Sequence, residues 1–164
     1  MNKQHFIIRY GQANDLVELQ KLFVNTIRTI CTADYNKQQI EVWASGIDNK
    51  QRWVEIMTKQ IVFIAQLADK IVGFATLHNG NYIDLLYVHK EHQRQGIAQL
   101  LLDNIETEAI QLKQTILISD VSKTARSFFE KNSFNVVKEQ TVNKKGIKLT
   151  NYKMTKTLYK SPNT

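Results

Sequence analysis

Residues 86–102 contain the side chains best suited to chemistry, because an apolar strand there leads through a short polar loop into an apolar helix. The loop consists of Gln93, Arg94, Gln95, Gly96, Ile97 and Ala98. At the first turn of a helix several backbone N–H groups lack an intrahelical acceptor, and the helix dipole adds partial positive charge there. Such a turn accommodates phosphate groups, so the segment predicts a diphosphate site.

Three residues of this loop have a size or a charge that suits a diphosphate site. Gly96 and Ala98 are small at the positions where phosphate oxygens must approach the backbone closely. Arg94 can add a charge-assisted contact to the same anion. The loop therefore combines open backbone with a positive charge.

The pattern Gln-x-x-Gly-x-Ala at residues 93–98 resembles the Gln/Arg-x-x-Gly-x-Gly/Ala signature of the GNAT superfamily, the acyl-CoA-dependent N-acetyltransferases. Three fixed positions also recur by chance, so the surrounding sequence carries the resemblance. A strand over 82–88 precedes the loop and an amphipathic helix follows it. Residues 125–134 are similar to the family's Ala-x-x-Phe-Tyr-Glu-Lys-x-Gly-Phe segment.

This resemblance implies that acetyl-CoA is the cosubstrate. In the family the loop holds the coenzyme A pyrophosphate, and the pantetheine arm lies in a gap where the central strand separates from the next one. The residues that the resemblance assigns to the cofactor are Leu86, Tyr87, Val88, Gln93, Arg94, Gln95, Gly96, Ile97, Ala98, Ser122, Ala125 and Phe128. Leu86 and Val88 are expected to contribute their backbone, with their side chains in the core.

Asp84 is the candidate general base, because it is the only carboxylate on the predicted central strand. Many family members place a Glu two residues earlier, where this chain has Tyr82. Side chains two residues apart project from the same face of a strand, so Asp84 could act from a shifted position. The alternative is a structural strand residue that is satisfied by a neighbouring strand or by solvent.

The general acid is not assigned, because Phe129 occupies the position of the family's frequent Tyr and has no proton to give. A water, another hydroxyl or unassisted departure of the thiolate remain open. Ser122 stands where the family often has an Asn that contacts the pantetheine. Its competing role is to cap the following helix.

Tyr35, Glu41 and Trp43 are candidates for binding the acceptor, since the first two helices of this architecture border the acceptor pocket. Aromatic faces and a carboxylate suit a cationic amine. Burial of Trp43 in the core and solvation of Glu41 are the alternatives. The three histidines after residue 77 lack metal-ligand spacing with a carboxylate or cysteine partner, so we expect no metal.

Hydrophobic periodicity predicts the elements that position these residues. Strands are predicted over residues 6–10, 61–67, 71–77, 82–88, 115–119, 134–141 and 147–157. Helices are predicted after a cap at Asn14, after a capping box formed by Asn36 and Gln39, and over residues 51–57, 96–112 and 123–131. The residues expected to be buried are Leu16, Leu19, Phe23, Ile27, Cys31, Phe128 and Phe134.

The order of these elements indicates an α/β (α+β) fold with a mixed, mostly antiparallel central sheet and helices on both faces. The same order is found in the GNAT fold, so the resemblance covers nearly the whole chain. We expect one domain over residues 1–160 and a frayed tail over 161–164.

Composition narrows the function classes. The 22 Lys and Arg residues exceed the 15 Asp and Glu residues, which gives a formal charge of +7 and attracts anions. Nucleic acid is disfavoured as a partner because no aromatic interleaving or known nucleic-acid motif accompanies the charge. The absence of a long apolar run or an apolar N-terminal segment predicts a cytoplasmic protein without a membrane partner.

We therefore expect an N-acetyltransferase that moves an acetyl group from acetyl-CoA to an amine by direct attack in a ternary complex. A small-molecule acceptor is favoured because Tyr35, Trp43 and the helix over 51–57 suggest a closed wall. A protein N-terminus or lysine is the alternative acceptor. A non-catalytic acyl-CoA-binding or sensing module and a homodimer also remain open.

Overall fold

Seven strands form one sheet in residues 4–159, the part of the chain that the computed structural model describes. The strands are β1 (Phe6–Tyr10), β2 (Ile61–Leu67), β3 (Lys70–His78), β4 (Tyr82–Val88), β5 (Ile116–Ser122), β6 (Asn135–Lys144) and β7 (Ile147–Thr157). The α-helices of the described residues are α1 (Leu16–Ile30), α2 (Lys37–Ala44), α3 (Lys50–Lys59), α4 (Ile97–Gln111) and α5 (Arg126–Lys131). The expected tail over 161–164 lies outside the described residues.

The sheet is mixed, as predicted. Its strand order is β1-β2-β3-β4-β5-β7-β6, and every neighbouring pair is antiparallel except β4 and β5. Parallel neighbours need a crossover connection, and here α4 supplies it. The one parallel pair lies in the middle of the sheet. Its connecting helix, α4, is the one whose N-terminus was predicted to bind a diphosphate.

Helices cover both faces of the sheet and divide the apolar core in two. Helices α1, α2 and α3 enclose one cluster, to which Leu19, Phe23 and Ile27 contribute from α1. Helices α4 and α5 enclose the other cluster on the opposite face, to which Leu101 and Ile105 contribute from α4. The predicted arrangement of layers is confirmed.

The helix starts agree with the sequence in one case and differ in another. The capping box before α2 is present, because the Gln39 amide donates to Asn36 Oδ1 at 2.9 Å and the Asn36 amide to Gln39 Oε1 at 2.9 Å. Asn14 does not cap α1, since it lies inside a short 3-10 turn. Asp15 ends that turn, and the Arg9 guanidinium holds the pKa of its carboxyl below its usual value.

Two residues predicted for the core are only partly buried. Leu16 begins α1, at the end of the apolar stripe, where the helix leaves the core. Phe128 is partly buried, whereas the adjacent Phe129 is 3% exposed and packs edge-on against Phe134 at 5.0 Å. Helix α5 begins three residues later than predicted, and its buried face is the one that carries Phe129.

A β-bulge in β4 determines which side chains face α1, α2 and α3. Leu77 lies opposite Ile83 and the next residue, Thr76, lies opposite Leu85, so Asp84 is an extra residue in β4. Leu85 and Tyr87 consequently pack on the α1–α3 face, whereas regular alternation from residue 84 would have turned them away. We call this feature the Asp84 bulge.

The Thr76 hydroxyl holds the Asp84 bulge in place. Its side chain is fully buried, and the Leu85 amide donates to Thr76 Oγ1 at 3.1 Å. An amide displaced from its ladder needs another acceptor, because an unpaired buried N–H is costly. Thr76 supplies that acceptor from the neighbouring strand.

Thr76→Val should destabilise the protein by about 1–3 kcal/mol, because it keeps the shape of the side chain and leaves the Leu85 amide without its acceptor. Chemical denaturation measures the loss, and amide hydrogen exchange should show faster exchange at Leu85. Thr157→Val, at an exposed position, is the matched control and should change stability by less than about 0.5 kcal/mol. Equal stability of the two variants would contradict this role for Thr76.

Candidate active site

Strands β4 and β5 separate after two paired positions, Tyr82 with Ile118 and Ile83 with Ser119. On its other side β4 remains paired with β3, and the His89 amide that follows it donates to the Val72 carbonyl at 2.8 Å. Peptide groups alternate in direction along a strand, so those of Leu86 and Val88 point away from β3 and into the gap.

The Gln93 side chain occupies part of this gap edge. Its Nε2 donates to the Val88 carbonyl at 2.6 Å, and Thr26 Oγ1 donates to the same carbonyl at 3.1 Å. The Gln93 amide group therefore holds the polar loop against the end of β4. These bonds leave Gln93 Oε1 without a partner among residues 4–159, so the contact with the cofactor stays a prediction.

The N-terminus of α4 leaves backbone amides open. Gly96 precedes the helix at φ +84°, and the first amide of this turn with a helical partner is that of Leu100, which donates to the Gly96 carbonyl at 3.0 Å. Within residues 4–159, the amides of Ile97, Ala98 and Gln99 have no protein acceptor. A side-chain carbon added at Gly96 would meet nothing within 4 Å, so space for a ligand adjoins these amides.

The side chains around this turn differ in whether they can contact a bound anion. Arg94 and Gln95 are exposed beside Gly96, where they can reach an anion. The Ile97 side chain is 1% exposed and belongs to the core, so only its backbone is available. The structure thus brings the predicted phosphate residues together at one helix end.

The turn after β5 separates the remaining residues assigned to the cofactor. Ser122 Oγ accepts a hydrogen bond from the Ala125 amide at 3.1 Å, as expected for a residue that caps the turn into α5. Its hydroxyl proton stays available for donation. Ala125 and Phe128 pack against the core on the α4 face, while Ser122 faces the α1–α3 side.

A cavity of about 200 Å³ lies between the α1–α3 face of the sheet and the strands β5, β6 and β7. Its lining residues are Phe23, Tyr35, Trp43, Gly46, Arg52, Trp53, Ile56, Tyr82, Asp84, Leu85, Tyr87, Asp120, Ser122, Val142, Lys144, Leu149, Thr150 and Asn151. Because β4 and β5 both contribute to this lining, the cavity adjoins the gap between them. We call it the acceptor cavity.

Asp84 lies in the acceptor cavity with both carboxylate oxygens engaged. Arg52 Nη2 donates to Oδ1 at 2.9 Å, and Gln60 Nε2 donates to Oδ2 at 2.8 Å. The side chain is 12% exposed. Each carboxylate oxygen can accept a further hydrogen bond, so these partners orient Asp84 without using up its capacity.

Tyr82, which stands where many family members have Glu, pairs with a second carboxylate. Its hydroxyl donates to Asp120 Oδ2 at 2.7 Å, and Gln140 Nε2 donates to Asp120 Oδ1 at 2.6 Å. Burial, with the Asp120 hydrogen bond second, raises the pKa of Tyr82. The phenol therefore keeps its proton at neutral pH.

Two of the three residues predicted for the acceptor line this cavity, and one does not. Tyr35 and Trp43 meet edge-on at 5.3 Å, and the Tyr35 hydroxyl donates to the Thr150 carbonyl at 2.7 Å. Glu41 lies outside the cavity on the exposed side of α2, where it pairs with Arg28 at 3.0 Å. Residue 41 is rotated away because its neighbour Ile40 faces the core.

Several lining residues were missed by the sequence analysis. Arg52 comes from α3 and Lys144 from the end of β6. Gln60, which follows α3, donates to Asp84 without lining the cavity. The Tyr87 ring lies on this face only because of the Asp84 bulge, and it packs against Phe23 at 5.1 Å. No local motif marks these positions, since distant elements bring them together.

Burial also separates Tyr87 from solvent and raises the pKa of its hydroxyl, so this group is a proton donor at neutral pH. Cys31 is buried, as predicted, and loss of solvation raises the pKa of its thiol to about 11. A protonated thiol is a poor nucleophile. Cys31 therefore belongs to the core.

Two structural features are absent from residues 4–159. No group of three or more His, Cys, Asp or Glu residues in that range is arranged to hold a metal ion. None of the helices in that range is long and apolar enough to cross a membrane.

Comparison with known proteins agrees with the geometry. Residues 31–156 match the family model described as the acetyltransferase (GNAT) domain. The uncharacterized N-acetyltransferase YafP of Escherichia coli K12 is 35% identical over 147 residues, which span 90% of this chain and 93% of YafP.

Two solved structures share the fold. A GCN5-related N-acetyltransferase from Rhodopseudomonas palustris superposes with a TM-score of 0.91 and 32% identity over 96% of this chain and 99% of its own. The PaiA N-acetyltransferase from Thermoplasma acidophilum, in complex with coenzyme A, gives a TM-score of 0.73 and 19% identity over 93% of this chain and 99% of its own. The predicted family is thereby confirmed, and the chain belongs to the GNAT superfamily of N-acetyltransferases.

Proposed function

We propose that this protein transfers the acetyl group of acetyl-CoA to the amine of a small molecule by direct attack in a ternary complex. The observation that carries the proposal is the gap between β4 and β5, which has the open helix turn of α4 near one end and the acceptor cavity beside it. A thioester in this gap would face the cavity, where an amine can approach its carbonyl carbon.

Backbone groups of the protein can hold the cosubstrate at several points along the length of the coenzyme A molecule. The amides at the start of α4 and the Arg94 guanidinium would bind the diphosphate. The peptide groups of Leu86 and Val88 that face the gap would pair with the pantetheine arm, Val88 through its amide because its carbonyl is occupied. Holding both reactants in position can supply roughly 7–11 kcal/mol of the barrier.

The reaction needs one proton removed and one delivered. The neutral amine nitrogen forms a bond to the thioester carbon, and the carbon–sulfur bond then breaks as the nitrogen loses a proton. Asp84 would accept a proton from the ammonium form of the acceptor before the attack, directly or through a water, and so supply the neutral amine, since it lines the cavity and retains acceptor capacity. The departing thiolate gains a proton and leaves as coenzyme A.

Phe129 cannot deliver that proton, because it has no hydroxyl and is buried. The hydroxyls of Ser122 and Tyr87 line the acceptor cavity and can donate. Trp43 donates a hydrogen bond to the Tyr87 oxygen, which leaves the proton of the Tyr87 phenol available for donation. These hydroxyls favour an enzyme over a module that only binds acyl-CoA.

The walls of the cavity favour a small acceptor over a polypeptide. Lys145 Nζ donates to Ser45 Oγ at 3.1 Å and Gln39 Nε2 to the Lys148 carbonyl at 3.0 Å, so the β6–β7 hairpin is fastened to the α2 region. A protein N-terminus or lysine would need this cover to open.

Gly96→Ala should weaken coenzyme A binding by roughly 5- to 150-fold, the equivalent of about 1–3 kcal/mol of overpacking, because the new methyl occupies space reserved for the diphosphate. Isothermal titration with coenzyme A measures the effect. Gly146→Ala is the matched control, since Gly146 has a similar φ of +81° and equally open surroundings in the β6–β7 turn.

Both variants carry the same backbone strain, so both should lose similar stability. Only the Gly96 variant should lose affinity for coenzyme A. Equal affinities in the two folded proteins would remove the assignment of this loop to the diphosphate.

Asp84→Asn tests the reaction itself and should lower turnover by about 10²–10⁴-fold, the usual cost of losing a general base. Coenzyme A affinity should barely change. The loss should shrink as pH rises above the pKa of the acceptor amine, because the nucleophile is then already neutral. A pH–rate profile on an active amine, followed by release of free thiol from acetyl-CoA, measures this.

Asp120→Asn is the control for this experiment, because it removes a second negative charge from the same cavity while leaving Asp84 in place. It should cost much less than Asp84→Asn. Parallel profiles with similar rates for all three proteins would make Asp84 a structural residue. Absence of acetylation across a broad panel of amines would contradict the proposed function.

A further inference from the structure

Two cations in the acceptor cavity have unused hydrogen-bond donors. Arg52 donates to Asp84 through Nη2 alone, and its Nε and Nη1 have no side-chain or carbonyl acceptor among residues 4–159. Lys144 has no carboxylate within 4.0 Å in the same part of the chain. A guanidinium and an ammonium with free donors in one cavity favour an anionic group between them.

The surroundings of Lys144 support this placement. Loss of solvation lowers the pKa of its ammonium, and the positive charge of Arg52 lowers it further, while Asp84 acts in the opposite direction. Lys144 and Arg52 line the same cavity, and the Lys144 side chain also has solvent-exposed surface. A bound anion would reduce the repulsion between the two cations.

This pair is too far along β4 to serve the coenzyme diphosphate. Arg52 contacts Asp84, whereas the open helix turn follows Val88 at the other end of the strand. Residues 84 and 88 are separated by about 13 Å at the usual rise of a strand. The two cations thus belong to the acceptor side of the active site.

We propose that the acceptor is an amino acid, with its carboxylate held by Arg52 and Lys144 and its α-amine directed toward Asp84. This inference rests on the proposed acetyl transfer and specifies its substrate class. Guanidinium groups recognise carboxylates through paired hydrogen bonds, and Lys144 adds a point charge to the same group.

The charges of the cavity lining match a zwitterion. Arg52 and Lys144 provide two positive charges, and Asp84 and Asp120 provide two negative charges. Asp120 is engaged by Tyr82 and Gln140, so Asp84 is the better placed carboxylate for an incoming amine. A polyamine would place excess positive charge beside Arg52 and Lys144, and a simple amine would leave their donors unused.

Aromatic rings form the rest of the wall and indicate the side chain of the acceptor. The rings of Phe23, Trp43, Trp53 and Tyr87 all line the cavity. Phe23 contacts Trp53 edge-on at 5.2 Å, so the rings form a continuous apolar surface. Apolar and aromatic amino acids bury the most surface against such a wall.

The test compares amines that differ only in the carboxylate. Phenylalanine, tryptophan and leucine are assayed beside 2-phenylethylamine, tryptamine and 3-methylbutylamine, with thiol release and mass spectrometry of the product as readouts. Phenylalaninamide keeps the body of phenylalanine and lacks its negative charge. Its amine is less basic than that of phenylalanine, whereas that of 2-phenylethylamine is more basic, so the two compounds together separate the effect of charge from that of basicity. At least one amino acid should exceed its partner in kcat/KM by roughly 10-fold or more, as expected for hydrogen bonds to a charged group.

Lys144→Gln should reduce this preference, mainly by raising KM for the amino acid, and Lys144→Arg should restore most of it. Lys148→Gln is the matched control, because Lys148 lies on the same hairpin, is exposed and does not line the cavity. The Lys148→Gln variant should prefer amino acids over the matching simple amines as strongly as the unaltered protein does.

The outcomes separate this inference from the proposed function. Acetylation of the simple amines at rates equal to or above those of the amino acids would overturn the inference and leave the acetyltransferase in place. The same holds if Lys144→Gln and Lys148→Gln behave alike. Acetylation of no compound in either series, by a protein that binds coenzyme A, would overturn both.

Discussion

The Asp84 bulge is the constraint on which the active site depends. A regular strand would place Asp84 and Tyr87 on opposite faces, but the extra residue puts both on the face covered by α1, α2 and α3. The cost is a displaced amide, which Thr76 satisfies from the neighbouring strand. One buried hydroxyl thus allows a carboxylate, a phenol and an apolar wall to share one cavity.

In the proposed reaction the same region of β4 serves two ligands, which its groups meet in two different directions. Peptide groups in the plane of the sheet face the gap toward β5, while side chains perpendicular to it face the acceptor cavity. Backbone recognition suits a cosubstrate with a repetitive, flexible arm. Side-chain recognition suits an acceptor whose identity distinguishes one family member from another.

The sequence predicted the parts of this protein that depend on neighbouring residues. The loop over 93–98, the capping box of Asn36 and Gln39 and the strand limits of β4 are local patterns, and the structure has them where they were expected. For Glu41 the sequence left two placements open, and the structure has the solvated one, because helical spacing alone did not decide which side of α2 faces inward.

The rest of the site could not be predicted because it is assembled over long distances. Arg52 reaches Asp84 from α3, and Lys144 reaches the same cavity from the end of β6. The side of the sheet on which Tyr87 lies depends on the Asp84 bulge, and no residue type in the sequence predicts that bulge. The count of charged residues predicted the sign of the net charge. It did not indicate that Arg52 and Lys144 would line the same cavity.

The short pairing of β4 with β5 divides the sheet into two antiparallel halves, with only two paired positions between them in residues 4–159. A coenzyme arm bound in the gap would act as a missing strand between them. Its binding free energy would then add to the cohesion of the sheet by mass action. The cosubstrate would then be a structural component as well as a reagent, and the folded state would gain stability as the concentration of coenzyme A rises above its dissociation constant.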